Sequence, residues 1–166
     1  DPSGLICLDL GASTGGFTDL LVQRGARRVY AVDVGHGQLH ATLAADPRVV
    51  NLEGTDARRL DDVLVPDPVD MLVADLSFIG LAKALPAGLA RVKPGGAVIL
   101  LIKPQFEAGP NAGKRGVIRD EALHAAICDR VVAEIATLGV AVERVMPSPI
   151  EGGDGNREFL LMGRKT

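Results

Sequence analysis

Leu5-Ile6-Cys7-Leu8-Asp9-Leu10 runs directly into Gly11-Ala12-Ser13-Thr14-Gly15-Gly16-Phe17, and the reading of that junction sets the fold. The first six residues are an apolar run with an acid near its end, the pattern of a strand buried on both faces. The glycines that follow let the backbone turn sharply and come close to a ligand. From Phe17 the spacing changes. Phe17, Leu20, Leu21 and Arg24 mark a three-to-four period, which predicts a helix over 17–24 that stops at Gly25. Strand, glycine turn and helix in immediate succession open a βα unit.

The alternation continues outward from that unit. Strands are predicted over 28–34, carrying Asp33, over 49–52, leading to Asp56, and over 69–74, leading to Asp75. Between them, 38–45 reads as a short helix closed by Asp46-Pro47, and 79–92 as a helix interrupted by Pro86 and Gly88. Lys93-Pro94-Gly95-Gly96 reads as a turn, and 97–102 as the most hydrophobic strand. A glycine-rich loop over 107–119 precedes a long helix over 120–138, opened by Asp120 and closed at Gly139. The last strands, 140–146 and 158–162, have no helix between them and should run antiparallel. Continuously apolar strands separated by helices predict an α/β fold, a mostly parallel seven-stranded doubly wound sheet with an antiparallel C-terminal strand. No internal repeat or linker divides the chain, so residues 1–166 read as one domain.

Composition agrees. The chain has 166 residues, 47% hydrophobic and 23% charged, which excludes disordered and collagen-like classes. Its longest apolar run, 97–102, falls far short of the ~20 residues of a membrane span. No apolar leader precedes the first strand, so a cytoplasmic protein with no membrane partner is expected. Cys7 and Cys128 sit in apolar runs and read as buried free thiols. The net charge of −3 argues against a uniformly basic nucleic-acid binder, yet leaves room for a local basic patch or a separate RNA-binding domain. The chain opens at Asp1-Pro2-Ser3 and is expected to be a fragment of something longer.

The glycine loop is not the dinucleotide fingerprint, because Ser13 occupies the second glycine position. It suits a loop around the amino-acid end of S-adenosylmethionine, a ligand without phosphate, or alternatively a plain strand-to-helix turn. The candidate cofactor residues are Asp9, Gly11, Ala12, Ser13, Gly15, Gly16 and Phe17 from this junction, with Asp33, Val34, Asp56, Ala57 and Asp75 from later strand ends. Asp33 stands where an acid takes the ribose hydroxyls of an adenosine; a cap or loop acid is the other reading. Asp56 suits the adenine amino group, or the N-cap of a turn at 57–60. The adenine-methylating pattern of Asn or Asp, two prolines and an aromatic is absent after the fourth strand, where Ala74-Asp75-Leu76-Ser77-Phe78 stands. Lys103 directly follows the most apolar strand, and Glu158 opens the last one, where an edge-strand charge is the alternative. His36, His40 and His124 show no metal spacing and read as surface histidines.

Taken in order, the segments CLDLGASTGGFTDLL, AVDVGHGQL, VADLSFI, LIKPQFE and GNREFLL resemble the haemolysin-A-type (TlyA) family within the FtsJ-like RNA 2′-O-methyltransferases. The resemblance spans nearly the whole chain and implies a Rossmann-like class I methyltransferase. It also implies S-adenosylmethionine-dependent methylation of ribose 2′-hydroxyls in ribosomal RNA, with ribosomal RNA or a ribosomal subunit as partner. The family is similar to other FtsJ-like enzymes in having a Lys-Asp-Lys-Glu catalytic tetrad, whose last three members match Asp75, Lys103 and Glu158. The first lysine belongs upstream of the glycine loop, and residues 1–8 contain none. Relatives also carry an S4-like RNA-binding domain that is expected upstream and is absent from this chain.

The tetrad has an independent rationale. A ribose hydroxyl is a poor nucleophile near neutral pH, so a base must take its proton as the methyl transfers. Lys103 can serve when neutral, while Asp75 and Glu158 orient it and oppose its neutralisation. The loop with Lys114, Arg115 and Arg119 follows Lys103 and is the expected RNA-side edge. Two other functions fit parts of the pattern: a cofactor-binding interaction module without catalysis, and a membrane-active haemolysin.

Overall fold

The computed structural model describes residues 1–109 and 117–166. Strand β1 (Ile6–Leu10) and helix α1 (Gly16–Gln23) flank the glycine turn. Strand β2 (Arg28–Val32), helix α2 (Ala41–Ala44) and strand β3 (Val49–Leu52) follow, then a 3-10 turn at Ala57–Arg59 and strand β4 (Val69–Ala74). Two short helices, α3 (Leu81–Ala84) and α4 (Pro86–Leu89), lead to strand β5 (Val92–Ile102) and helix α5 (Pro104–Glu107). Helix α6 (Glu121–Thr137) and strands β6 (Val140–Pro147) and β7 (Phe159–Lys165) complete the chain.

The seven strands form one sheet in the order β3-β2-β1-β4-β5-β7-β6. Pairings from β3 to β5 are parallel, and β7 is antiparallel to both β5 and β6. Chain order reverses beside β1, where β2 lies on one side and β4 on the other. Open α/β sheets bind ligands at such a switch point, outside the carboxyl ends of their strands. Successive strand residues face opposite sides. Leu8, Leu10, Leu72 and Leu100 pack with Leu81, Leu85, Leu89, Val131 and Ile135 on one face. Cys7, Val29, Ala31 and Val73 pack with Leu21, Val22 and Leu43 on the other. Each fully buried leucine contributes about 1.5–3 kcal/mol.

Four expectations need correction. The helix over 79–92 breaks at Pro86, which starts α4, and a Cβ at Gly88 would come within 3.1 Å of Leu10 Cδ1 in the sheet. The turn expected at 93–96 lies inside β5, where pairing with β4 jumps from Val69↔Val92 to Met71↔Ala97 and Gly95 adopts φ +80°. The helix over 38–45 shrinks to α2, with His40 as its N-cap. His124 is buried, its Nε2 within 2.9 Å of the Ile118 carbonyl oxygen. Both cysteines are buried and free as expected, and burial pushes the Cys7 thiol up to about 12.

Candidate active site

The glycine turn is shaped by a backbone crossing. Gly11 has φ +79°, and a Cβ there would lie 2.1 Å from the Asp75 carbonyl oxygen. Only glycine lets the turn after β1 meet the end of β4. Hydrogen bonds fix the crossing: the Gly11 and Ala12 amides donate to the Val32 carbonyl, and the Asp75 amide donates to that of Leu10. Ser13 (φ +52°) and Phe78 (φ +66°) also adopt the left-handed region, a strain of order 1–3 kcal/mol each that tends to cluster at functional sites.

Around this crossing lies a hollow of about 680 Å³ walled by Gly11, Ser13, Asp33, Val34, Asp56, Ala57 and Asp75, with Ser77, Phe78, Ile79 and Lys83 opposite. That is the size range of small-molecule sites. Asp33 accepts hydrogen bonds from the Ser13 and Gly35 amides, both at 2.8 Å. Each oxygen keeps a second lone pair for a ligand hydroxyl. Asp56 caps the 3-10 turn through the Arg58 amide (2.9 Å) and pairs with the Arg58 guanidinium at 2.7 Å. Those contacts hold its carboxyl down at about 2. The N-cap reading of Asp56 and its place in the wall therefore coexist.

The remaining members of the candidate set lie elsewhere. Asp9 has no solvent exposure and takes a 2.7 Å hydrogen bond from the Thr18 hydroxyl, while its Oδ1 is buried without a partner. Burial pushes its carboxyl up to about 7, against the lowering effect of Thr18. Ala12 is buried and Phe17 packs on the same cluster. Gly15 and Gly16 line a separate hollow of about 330 Å³ with Thr14, Asp19 and His40.

Asp75, Lys103 and Glu158 converge from the ends of β4 and β5 and the start of β7. Lys103 Nζ lies 2.5 Å from Asp75 Oδ1 and donates to the Ser77 hydroxyl at 3.2 Å, with its side chain only 14% exposed. Glu158 is half-buried. Burial raises its carboxyl, Lys103 draws it down, and Asp75 and Asp154 push it up again. The three groups thus share one electrostatic environment, with Asp75 belonging to both the hollow and the amine cluster.

Sequence reasoning passed over several supports. Ser77 carries no sequence signal for its contact with Lys103. Phe78 is 90% exposed and packs on Phe106 with ring centroids 4.9 Å apart. Buried Asn156 accepts from the Ile118 amide (2.9 Å) and donates to Asp154 (2.7 Å), anchoring the turn before Glu158. Lys114 and Arg115 lie outside the described residues, and Arg119 is exposed. Among the described residues no three His, Cys, Asp or Glu side chains form a metal site, and no helix is long and apolar enough to cross a membrane.

The donor set of the hollow matches S-adenosylmethionine. The three carboxylates on the wall, Asp33, Asp56 and Asp75, suit a ligand carrying cationic sulfonium and ammonium groups and no phosphate. An anionic dinucleotide would meet repulsion there. The residues present fit the group.

Comparison with known proteins gives a consistent result. The chain is 46% identical over 160 residues to the 16S/23S rRNA (cytidine-2′-O)-methyltransferase TlyA of Mycobacterium tuberculosis, covering 96% of this chain and 60% of that protein. It is 41% identical to Hemolysin A of Brachyspira hyodysenteriae, over 93% of this chain and 65% of that one. The chain therefore spans about three-fifths of the length of these relatives. A solved hemolysin structure from Streptococcus thermophilus superposes with a TM-score of 0.96 at 41% identity, covering all of this chain and 61% of that one. Methanococcus jannaschii fibrillarin, at 17% identity and a TM-score of 0.75 over 99% of this chain and 69% of that one, shares the fold. The FtsJ-like methyltransferase model matches residues 1–165, so the chain belongs to the FtsJ-like methyltransferase family.

Proposed function

We propose that the protein to which this chain belongs transfers a methyl group from S-adenosylmethionine to a ribose 2′-hydroxyl of ribosomal RNA. The observation that carries this reading is the position of Asp75, which walls the nucleoside-sized hollow and also pairs with Lys103. A cofactor pocket and a proton-handling cluster then meet at one side chain. The 46% identity to an rRNA (cytidine-2′-O)-methyltransferase supports the same chemistry.

Gly11, Ser13, Asp33, Val34, Asp56 and Ala57 would hold the cofactor, which when bound supplies an electrophilic methyl on sulfur. Asp33 offers free lone pairs to hydroxyls, and the Gly11 turn permits close approach of the backbone. Lys103 Nζ, in its neutral amine form, is the group positioned to take the proton of the attacking hydroxyl, becoming the ammonium that Asp75 pairs with. Asp75 and Ser77 fix that amine in place, and Glu158 interacts with its charge. Holding hydroxyl, amine and carboxylates in a reactive orientation lowers the barrier. A further lysine and an S4-like RNA-binding domain are proposed for the segment upstream of this chain. We assign the protein to the cytoplasm, with a ribosomal subunit as partner.

The test is label transfer. The full-length protein, incubated with methyl-labelled S-adenosylmethionine and ribosomal RNA, is expected to label the RNA. Cofactor binding without any transfer to RNA would reject the enzyme reading in favour of an interaction module.

A further inference from the structure

Three contacts tie the segment after β4 to the segment after β5: the Asp75–Lys103 pair, the Lys103–Ser77 hydrogen bond, and the packing of Phe78 on Phe106. A fourth uses a residue with no part in the chemistry above. Glu107, the last residue of α5, has a side chain only 4% exposed. Its Oε1 accepts a 2.9 Å hydrogen bond from the amide of Leu81, the first residue of α3. Its Oε2 lies against Gly80, where a Cβ would come within 3.3 Å, and sits 4.0 Å from the Arg130 guanidinium of α6. Arg130 also donates to the Glu107 carbonyl and pairs with Glu134 at 2.7 Å.

A buried carboxylate is costly unless it is hydrogen-bonded. Burial pushes this one up, and the Leu81 amide and Arg130 draw it back. Leu81 ends the segment that starts at Asp75, and Glu107 ends the one that starts at Lys103. The Glu107–Leu81 bond therefore closes a ring whose other closure is the Asp75–Lys103 pair. With the Glu107 closure removed, the segment carrying Asp75, Ser77 and Phe78 would be tied to the one after β5 only by the reacting groups and the Phe78–Phe106 packing.

We propose that Glu107 is a positioning residue of the active site: its side chain clamps the start of α3 to α5 and so keeps Asp75 and Ser77 on Lys103. The role rests on the methyl-transfer reading. It predicts a larger effect on turnover than on cofactor binding: the clamped segment supplies one wall of the hollow, through Asp75, Ser77, Phe78 and Ile79, while Asp33 and Asp56 are carried by other segments.

The test compares Glu107→Ala with Glu107→Gln in the full-length protein, at saturating S-adenosylmethionine and ribosomal RNA. Glu107→Ala should slow single-turnover transfer by roughly 10–100-fold, since small misplacements cost that much, with cofactor Kd within about 3-fold of wild type. Glu107→Gln keeps an oxygen for the Leu81 amide and should restore the rate to within about 5-fold. Equal, near-wild-type rates in both variants would overturn the proposal. So would a Glu107→Ala rate loss matched by an equal loss of cofactor affinity, which marks general damage. Should Glu107→Ala fail to fold, Gly80→Ala crowds the same carboxylate. A several-fold slower transfer at unchanged cofactor affinity supports the clamp, and an unchanged rate overturns it. If wild type transfers no methyl group, the function proposed above fails instead. Amide exchange at Leu81 then still decides the clamp: faster exchange in Glu107→Ala but not in Glu107→Gln supports it, and no change overturns it.

Discussion

The two rims of the site are built on opposite electrostatic terms. On the rim carried by β1, β2 and β3, each acid is already engaged by its own neighbourhood: Asp33 by two backbone amides and Asp56 by Arg58. On the rim carried by β4, β5 and β7, two carboxylates converge on one lysine, and burial and like charge push the Glu158 carboxyl up. The first rim is a preorganised cradle whose shape is paid for by ordinary hydrogen bonds. The second is an unbalanced cluster, the condition in which a proton moves readily. Substitutions on the first rim should therefore act mainly on binding and those at Lys103 mainly on turnover, with Asp75 touching both.

The largest effect expected from that division is at Lys103. Lys103→Met in the full-length protein removes the amine and leaves Asp75 and Glu158 without that cation, so single-turnover transfer should fall about 10³-fold while cofactor affinity changes little. Calorimetry alongside rapid-quench kinetics measures both, and a matched loss of affinity would erase the distinction between rims.

Next in size is the buried acid beneath the cradle. The folded Asp9 carboxyl is raised to about 7 from an ordinary value near 3.8. Its contribution to stability is fully present below the ordinary value and is lost as pH rises through about 7. Between pH 5 and 8 the wild type should lose about 2–3 kcal/mol more than Asp9→Asn, which cannot ionise. Urea unfolding of both proteins at the two pH values measures this difference. Parallel losses would show that Asp9 titrates as an ordinary surface acid.

Asp33→Ala strips acceptors from the Ser13 and Gly35 amides and should weaken S-adenosylhomocysteine binding about 10-fold, with destabilisation of about 1–2 kcal/mol. Asp56→Asn should cost only about 3-fold in affinity, because the neutral amide can still cap the 3-10 turn. A larger loss from Asp56→Asn than from Asp33→Ala would reverse the assignment of the main cradle acid.

The two rims also differ in how far they are legible in the sequence. Alternation of apolar runs with helical spacing reveals the strands, and the acids near their ends reveal Asp33, Asp56 and Asp75, because strand ends are where such sheets present ligand groups. Lys103 stands out because a cation directly after a fully apolar strand is unusual. Glu107, Ser77 and Asn156 were not legible. Their roles come from backbone amides and side chains distant in sequence, as in the 26-residue separation of Glu107 from Leu81, and no local pattern encodes such contacts. Asp9 shows the converse. Its place on the strand suggests the cofactor, but strand alternation turns it towards α1 and Thr18. Apolar spacing over 79–92 continues past the break that Pro86 imposes between α3 and α4, so spacing alone reads the two helices as one.

The central claim concerns which atom receives the methyl group, and the chemistry of RNA offers a direct readout. Alkaline cleavage of RNA needs a free 2′-hydroxyl, so a ribose methylated there leaves an uncut linkage. Ribosomal RNA labelled by the full-length protein should release its label entirely in alkali-resistant dinucleotides, and Lys103→Met should produce almost none. Label recovered on mononucleotides after complete alkaline digestion would place the methyl on a base and contradict the account.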